Sequence, residues 1–248
     1  MKIFWNGNFI AETAGKVPLG ERRYFEGSAL VENMRVTRGK IKAIREHKAR
    51  LREGAFALLM REPDLGFFEG TCRRLLGLNR LREGNLRVRY FRDGAWLIHP
   101  FRLKALPKEW LVKGIRLMTS SVSHYGPDSL QARLKANSML PNKLAAENIV
   151  DIAEDGLRLT ARGYVAEGIW SNIALEKKGI LFTPPLSLGV LEGTTRAALI
   201  RRWKSRGKRV MEIPLTRYDL YAADRVWVCS SLRGLLKVSS VDGRRIGA

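Results

Sequence analysis

Three dipeptides restrict how the first hundred residues can run: Asn6-Gly7, Arg38-Gly39 and Asp93-Gly94 each stand between stretches of alternating apolar residues. Two-residue links of this kind need a left-handed backbone, which glycine and asparagine adopt cheaply, and they join neighbouring antiparallel strands. "KIFWNG" with "NFIAE" and "SALVENMRV" with "GKIKAI" therefore read as hairpins, and "GNLRVRYFRDGAWLI" as a third. Two helices fall between the second and third. In "REHKARLREGAFALLM" the residues Leu51, Ala55, Leu58 and Leu59 follow the helical period, Glu46 and Arg50 form an i,i+4 pair, and Pro63 stops the run. "GTCRRLLGLNRL" is the second helix.

The pattern breaks at "LKALPKEWLVKG", where Pro107 interrupts it and "GIRLMTSSVS" opens a new strand system. Beyond it, strands alternate with helices. "NKLAAENIVDIAEDG" and "TTRAALIRRWKSRG" read as helical, with Gly156 and Gly207 at their C′ positions. "GYVAEGIWSNIALEKKGILFTPP" keeps the two-residue period of a strand. The expectation is an α+β chain of two domains: residues 1–106, a linker at 107–112, and residues 113–248.

Charge is the outlier. Forty-five Lys and Arg against 24 Asp and Glu give +21, with an isoelectric point near 10.6. Such an excess suits a polyanion binder. The basic residues are nevertheless spread along the chain, without a long block or a nucleic-acid-binding signature, so nucleic acid is the minority reading. A cationic surface around a pocket for an anionic substrate explains the charge as well. Cys72 and Cys229 lie far apart and read as reduced, buried thiols of a cytoplasmic protein. His47, His99 and His124 form no metal-like cluster, and no apolar stretch is long enough for a bilayer.

Four short segments carry candidate chemistry, and each has an ordinary explanation. Lys135 in "RLKANSMLPN" could be a solvated charge at a strand end. Glu167 in "VAEG" could be an exposed strand carboxylate; if buried, it needs a partner able to hold its charge. "VLEGTTR" places a glycine before a helix with Thr194 and Thr195 in its first turn, which suits a phosphate but also an ordinary N-cap. Arg50 in "EHKARL" could serve only Glu46. Taken together they form a set: an amine for a Schiff base, an acid for a protonated ring nitrogen, a helix N-terminus for a phosphate, and an arginine to pair with it.

At this point the chain resembles the fold-type-IV pyridoxal-phosphate enzymes, the class-IV aminotransferase family. Its members include branched-chain and D-amino acid aminotransferases and 4-amino-4-deoxychorismate lyase. The resemblance covers nearly the whole chain and is strongest from Lys135 to Gly243, where "GYVAEGIWSNIALEKKGILFTPP", "GVLEGTTR" and "AADRVWVCSSLRGLLKVSSVDG" follow in order. "RYFEGSALVENMRV" and "EHKARL" match more loosely. The implied fold has a smaller N-terminal α/β sandwich, a larger C-terminal pseudo-barrel, and pyridoxal 5'-phosphate at their interface.

Carried over by residue, Lys135 matches the lysine that holds the cofactor. Its separation of 32 residues from Glu167 fits the D-amino acid aminotransferase register and disfavours Lys143. Glu167 matches the acid on the pyridine nitrogen. Arg50, Thr194, Thr195 and Ser231 match the phosphate ligands, and Leu232 and Arg233 match the turn whose amides face a substrate carboxylate. Asn33, Arg35, Arg87 and Arg89 are further substrate-binding candidates, although arginines alternating on an edge strand that faces water explain the last three equally well. The chain departs from the family pattern at Asn137-Ser138, where the ring-hydroxyl contact is in doubt, at Asp224-Arg225, and at Leu236-Lys237-Val238, which lacks a usual proline.

The resemblance implies either of two reactions. In both, the released Lys135 amine takes the substrate's Cα proton. A transaminase then returns a keto acid, whereas the lyase expels pyruvate and leaves an aromatic product. The short C-terminus, the "SSLRG" turn and Arg35 favour the lyase, which yields 4-aminobenzoate for folate biosynthesis. Asn33 and Ser230 stand where some lyases have threonine and asparagine. The expected partner is a small anionic, amino-acid-like substrate, and the expected assembly is a homodimer with no membrane association.

Overall fold

The computed structural model describes residues 1–16, 20, 21, 24 and 29–247, so the start of "RYFEGSALVENMRV", Tyr24 excepted, lies outside the described residues. The chain divides into two compact units, Met1–Lys104 with Leu134–Ser138, and Ala105–Arg133 with Met139–Ala248. The segment expected as a linker, 107–112, carries a short helix and belongs to the second unit. Residues 134–138 return to the first.

The first unit is an antiparallel sheet with strands β1 (Lys2–Trp5), β2 (Asn8–Ala11), β3 (Ala29–Thr37), β4 (Lys40–Ile41), β5 (Gly84–Phe91) and β6 (Trp96–Phe101), in the order β2-β1-β6-β5-β3-β4. At Asn6-Gly7 (φ 45° and 89°) and Arg38-Gly39 (51° and 72°) both turn residues take the left-handed backbone that the dipeptides predict. The third hairpin instead turns through the longer link 92–95, where Gly94 (φ 91°) is left-handed and Asp93 is not. Helices α1 (Ile44–Ala57) and α2 (Leu65–Leu78) cover one face. Leu30, Met34, Val36, Leu86, Val88 and Tyr90 point to that side and pack with Leu51, Ala55, Phe68, Cys72 and Leu75 of the helices. Each of the buried Leu, Met, Val and Phe side chains among them contributes about 1.5–3 kcal/mol of transfer free energy. Alternation then places Asn33, Arg35, Asn85, Arg87 and Arg89 on the other face.

Two helix ends differ from the expectation. α1 stops at Ala57, six residues before Pro63, because the chain turns at Leu59 with φ 50°. α2 starts five residues earlier than predicted, because the Asp64 side chain accepts from the N–H groups of Gly66 and Phe67 and caps it.

The second unit has α3 (Lys108–Val112), β7 (Ile115–Thr119), α4 (Leu130–Arg133), α5 (Leu140–Glu147), β8 (Asp155–Leu159), β9 (Val165–Gly168), β10 (Asn172–Lys177), β11 (Ile180–Thr183), α6 (Thr194–Lys204), β12 (Val210–Glu212), α7 (Arg217–Tyr221), β13 (Arg225–Ser230), β14 (Gly234–Val241) and β15 (Arg244–Arg245). Its mixed sheet runs β12-β11-β10-β13-β14-β7-β8-β9, with β15 on β14. Val165 on β9, at one end of that path, donates to the carbonyl of Leu215 just beyond β12 at the other end (2.7 Å). The sheet thus curls into the expected pseudo-barrel, filled by Ile115, Leu117, Leu157, Ile173, Val226, Val228 and Val238.

Gly207, with φ +70°, follows α6 as predicted. Gly156 does not cap a helix. α5 ends at Glu147, and Gly156 lies in β8, where an added Cβ would stand 2.4 Å from Ile169 Cδ1. The glycine is required there by close approach, a constraint that sequence alone cannot separate from a helix stop. No helix among the described residues is long and apolar enough to cross a membrane.

Candidate active site

The predicted residues fall into two groups, one in each unit. In the first unit, Lys135 lies between α4 and α5 on an extended segment docked to the start of β3. Val31 N–H donates to the Lys135 carbonyl and Asn137 N–H to the Ala29 carbonyl, both at 2.7 Å, with Leu30 opposite Ala136. The half-buried Lys135 is therefore held by main-chain bonds rather than ending a regular strand.

On the helical side of β3, Glu32 interrupts the apolar alternation and is buried. Arg50 of α1 binds it in a fork, Nε to Oε1 at 2.8 Å and Nη2 to Oε2 at 2.6 Å, and His47 Nδ1 lies 2.6 Å from Oε2. Burial alone would raise the Glu32 carboxyl. The Arg50 charge and the hydrogen bonds from His47 and Arg50 outweigh it and hold the carboxyl at about 2. The strong partner of Arg50 is thus Glu32, which a buried-face position between Leu30 and Met34 could have revealed.

The opposite sheet face gathers the substrate candidates. Asn33 and Arg87 are cross-strand partners, and Arg87 Nε donates to Asn33 Oδ1 at 3.2 Å. Arg35 faces Asn85, whose Nδ2 also reaches Asn33 Oδ1 (3.3 Å) and whose buried Oδ1 has no hydrogen-bond partner among the described residues. Arg89 Nε donates to Asn137 Oδ1 at 3.0 Å, and burial, then the Arg87 charge, lower its pKa. β3 and β5 are interior strands, and Arg35, Arg87 and Arg89 are half-buried, so the reading of edge-strand arginines facing water is incorrect.

In the second unit, Glu167 sits on β9 opposite Arg158. Its Oε2 accepts from Asn172 Nδ2 (3.0 Å) and Leu191 N–H (3.2 Å), and its Oε1 lies 3.1 Å from His124 Nε2. The carboxylate is mostly buried and has partners, so it is not an exposed strand residue. Asn172 also donates to the Leu191 carbonyl, which ties the chain before α6 to β10. Arg158 is buried, donates to the Ser123 carbonyl, and has its pKa lowered by burial against the raising effect of Glu167 and Tyr125. Nothing in the sequence distinguished His124, Asn172 or Arg158 from ordinary strand and loop residues.

Helix α6 begins at Thr194 with Gly193 as its N-cap, and no side chain among the described residues caps it. The Thr194 hydroxyl lies 3.1 Å from that of Ser231, so two of the predicted phosphate ligands come together from separate elements. Thr195 is half-buried beside them in the first turn. Gly193 is required by its neighbours: a Cβ there would fall 1.8 Å from Asn172 Oδ1. Arg196 turns away to the Pro184 carbonyl and Glu212.

Leu232 and Arg233 occupy the β13–β14 turn, where the Arg233 N–H is taken by Ser230 Oγ (3.2 Å). The Arg233 side chain reaches back over Trp110 to buried Asp155 (3.4 Å) and the Glu154 carbonyl. Asp155 also accepts from Ser171 and from the Gly156 and Trp170 amides.

This donor set fits pyridoxal phosphate on its chemistry. A helix N-terminus with converging hydroxyls matches a phosphate, and a mostly buried carboxylate that accepts from Asn172 and the Leu191 amide matches a pyridinium N–H. Comparison with known proteins agrees. The chain is 32% identical to a putative branched-chain-amino-acid aminotransferase from Methanocaldococcus jannaschii, over 99% of this chain and 90% of that protein. The crystal structure of Escherichia coli branched-chain amino acid aminotransferase superposes with a TM-score of 0.93 at 28% identity, covering 99% of this chain and 88% of that one. That of 4-amino-4-deoxychorismate lyase from Pseudomonas aeruginosa gives 0.86 at 24% identity, covering 94% and 90%, and shares the fold. The model of amino-transferase class IV matches residues 29–241, and this chain belongs to that family of pyridoxal-phosphate-dependent, fold-type-IV enzymes.

Proposed function

We propose that the protein is a cytoplasmic lyase that converts 4-amino-4-deoxychorismate to 4-aminobenzoate and pyruvate. The observation that carries this reading is the sheet face bearing Asn33, Arg35, Asn85, Arg87 and Arg89. Three half-buried arginines and two asparagines suit a substrate with two carboxylates; a branched aliphatic side chain would need an apolar wall.

Bound pyridoxal phosphate supplies an electron sink for the pair left when a bond at the substrate's Cα breaks. Lys135 would hold the cofactor, and its freed amine would take the Cα proton. Glu167 keeps the ring nitrogen protonated. Thr194, Thr195 and Ser231 bind the phosphate, together with Arg50, which Glu32 orients. Arg35, Arg87 and Arg89 bind carboxylates, and expulsion of pyruvate leaves an aromatic ring. Leu140 and Leu144, one turn apart on α5, and Val150 and Ile152 beyond it are exposed apolar residues, which suits assembly as a homodimer.

The second reading is a branched-chain or D-amino acid aminotransferase, favoured by the 32% identity to the archaeal protein. One experiment separates the two. Enzyme carrying cofactor is mixed with amino donors in the absence of a keto-acid acceptor, and separately with aminodeoxychorismate. The lyase gives 4-aminobenzoate and pyruvate. Rapid conversion to the pyridoxamine form with branched-chain or D-amino acids, and no aromatic product, assigns the aminotransferase. Loss of the borohydride-trapped cofactor in Lys135→Ala tests the lysine. Binding to RNA or DNA with steep salt dependence in a protein that takes up no cofactor would overturn both enzyme readings.

A further inference from the structure

His124 is absent from every role assigned above, yet it makes the hydrogen bonds of a built site. It follows β7, is buried, and has both ring nitrogens against oxygen. Nδ1 lies 2.8 Å from the carbonyl of Tyr125, which has only lone pairs to offer, so Nδ1 carries a hydrogen. Nε2 then faces Glu167 Oε1 at 3.1 Å. A neutral imidazole with its hydrogen on Nδ1 has a bare Nε2, and a bare nitrogen cannot bond an ionised carboxylate. One further proton must therefore lie between Nε2 and Oε1.

The surroundings place it on the imidazole. Glu167 Oε2 already accepts from Asn172 and Leu191, two donors that favour the carboxylate. Among the described residues, ionisable groups that act on this pair include Arg158, opposite Glu167 on β8, Tyr125, and Cys229 on β13 with Arg196 beside it. Arg158 adds positive charge and also favours an ionised Glu167. The pair inferred from this geometry is an imidazolium and a carboxylate.

We propose that His124 is a positioning residue that sets how strongly Glu167 holds the ring-nitrogen proton of the cofactor. The inference rests on the reading of Glu167 as the partner of that nitrogen. A carboxylate backed by an imidazolium is a weaker stabiliser of a pyridinium than one backed by neutral donors alone. The bond to His124 also fixes the plane of the carboxyl, and the His124–Tyr125 contact fixes the imidazole. The protein thereby trades some ring basicity for a fixed geometry.

Two spectroscopic measurements test this. In the cofactor-free protein, nitrogen-15 NMR of labelled histidine should show both ring nitrogens of His124 protonated at neutral pH. A bare Nε2 overturns the proposal without any variant having to fold. In the loaded protein, cofactor labelled with nitrogen-15 in the ring reports ring protonation directly. His124→Gln keeps an N–H donor without the charge, and His124→Phe removes both. In each, the pH at which the ring loses its proton should rise by about one unit or more. An unchanged midpoint in both, where Glu167→Gln lowers it, overturns the role of His124 alone. A ring signal that Glu167→Gln leaves unmoved overturns the reading of Glu167 itself.

Discussion

Arg50 grips Glu32 through two parallel hydrogen bonds of 2.8 and 2.6 Å, joining helix α1 to the centre of β3. A bidentate guanidinium–carboxylate pair fixes orientation as well as distance, so the guanidinium proposed for the phosphate is aimed by a strand residue. Removing one partner leaves the other charge buried, a cost of about 3–5 kcal/mol. Arg50→Ala and Glu32→Ala should each destabilise the protein by that amount in urea titrations. The double variant should lose clearly less than the sum.

The same pair predicts an acid limit. The Glu32 carboxyl is held at about 2 in the fold against 4.5 for an ordinary glutamate. A lowered carboxyl stabilises the fold fully above its unfolded value, and that contribution disappears as pH falls through the folded one. The difference is on the order of 3 kcal/mol. Stability should decline between pH 4.5 and 2, and Glu32→Gln should flatten the decline. An equal slope in wild type and variant would assign the acid sensitivity to other carboxyls.

Gly193 and Asn172 make a second prediction. Asn172 bonds Glu167 and the Leu191 carbonyl, and a Cβ on residue 193 would collide with its amide oxygen. Gly193→Ala should displace Asn172, disturb the Glu167 carboxylate, and loosen the start of α6 together. The expected result is weaker cofactor retention, by about tenfold or more if one charge-assisted bond of roughly 1.5 kcal/mol is lost. Dialysis followed by visible absorbance measures it, and Gly189→Ala, which has its own steric conflict elsewhere, is not a suitable control. Gly70→Ala, at an exposed position of α2 with open space around it and no left-handed backbone, controls for loss of glycine alone.

What was legible in the sequence follows from range. The hairpins and helices came from dipeptide turns and hydrophobic period, which act within ten residues. The resemblance supplied Lys135, Glu167 and the Thr194 turn because those motifs occur in fixed order. Register was not legible. Asn33 with Arg35, and Arg87 with Arg89, each share a strand face, but only the pairing of β3 with β5 makes them one surface and an interior one. The partners of Glu167 were hidden for the same reason: His124 and Asn172 come from a loop and a different strand. Gly156 misled because a glycine required for close packing looks like one required to stop a helix. Glu32 was readable, since it stands in the buried period of Leu30, Met34 and Val36, as a buried carboxylate that must have a partner.

The cysteines should be inert in the fold. Burial, helped slightly by the Glu69 charge, pushes the Cys72 thiol far up, and burial pushes that of Cys229 to about 12. The reactive thiolate is therefore scarce at neutral pH. Alkylation of the native protein at pH 8 should be slower by orders of magnitude than in denaturant. Fast labelling of either would show local opening of α2 or β13.

Arg233 gives the last prediction, because its side chain has a partner apart from the turn amides expected at the substrate. Its guanidinium lies 3.4 Å from buried Asp155 and over Trp110. Burial raises the Asp155 pKa, while the Arg233 charge, the Ser171 hydroxyl and the Gly156 and Trp170 amides pull it down. Arg233→Ala removes the largest of these opposing effects and lifts the folded carboxyl further above its unfolded value. Such a group weakens the fold increasingly as pH rises, and the penalty is absent where the carboxyl is protonated in both states. Arg233→Ala should therefore destabilise the protein by about 2–4 kcal/mol at pH 7 and by less near pH 4. Adding Asp155→Asn should recover part of the loss at pH 7, since a neutral amide needs no counter-charge. Thermal unfolding of the three variants at both pH values decides the question. An unchanged melting temperature at pH 7, with a raised KM, would return Arg233 to the substrate.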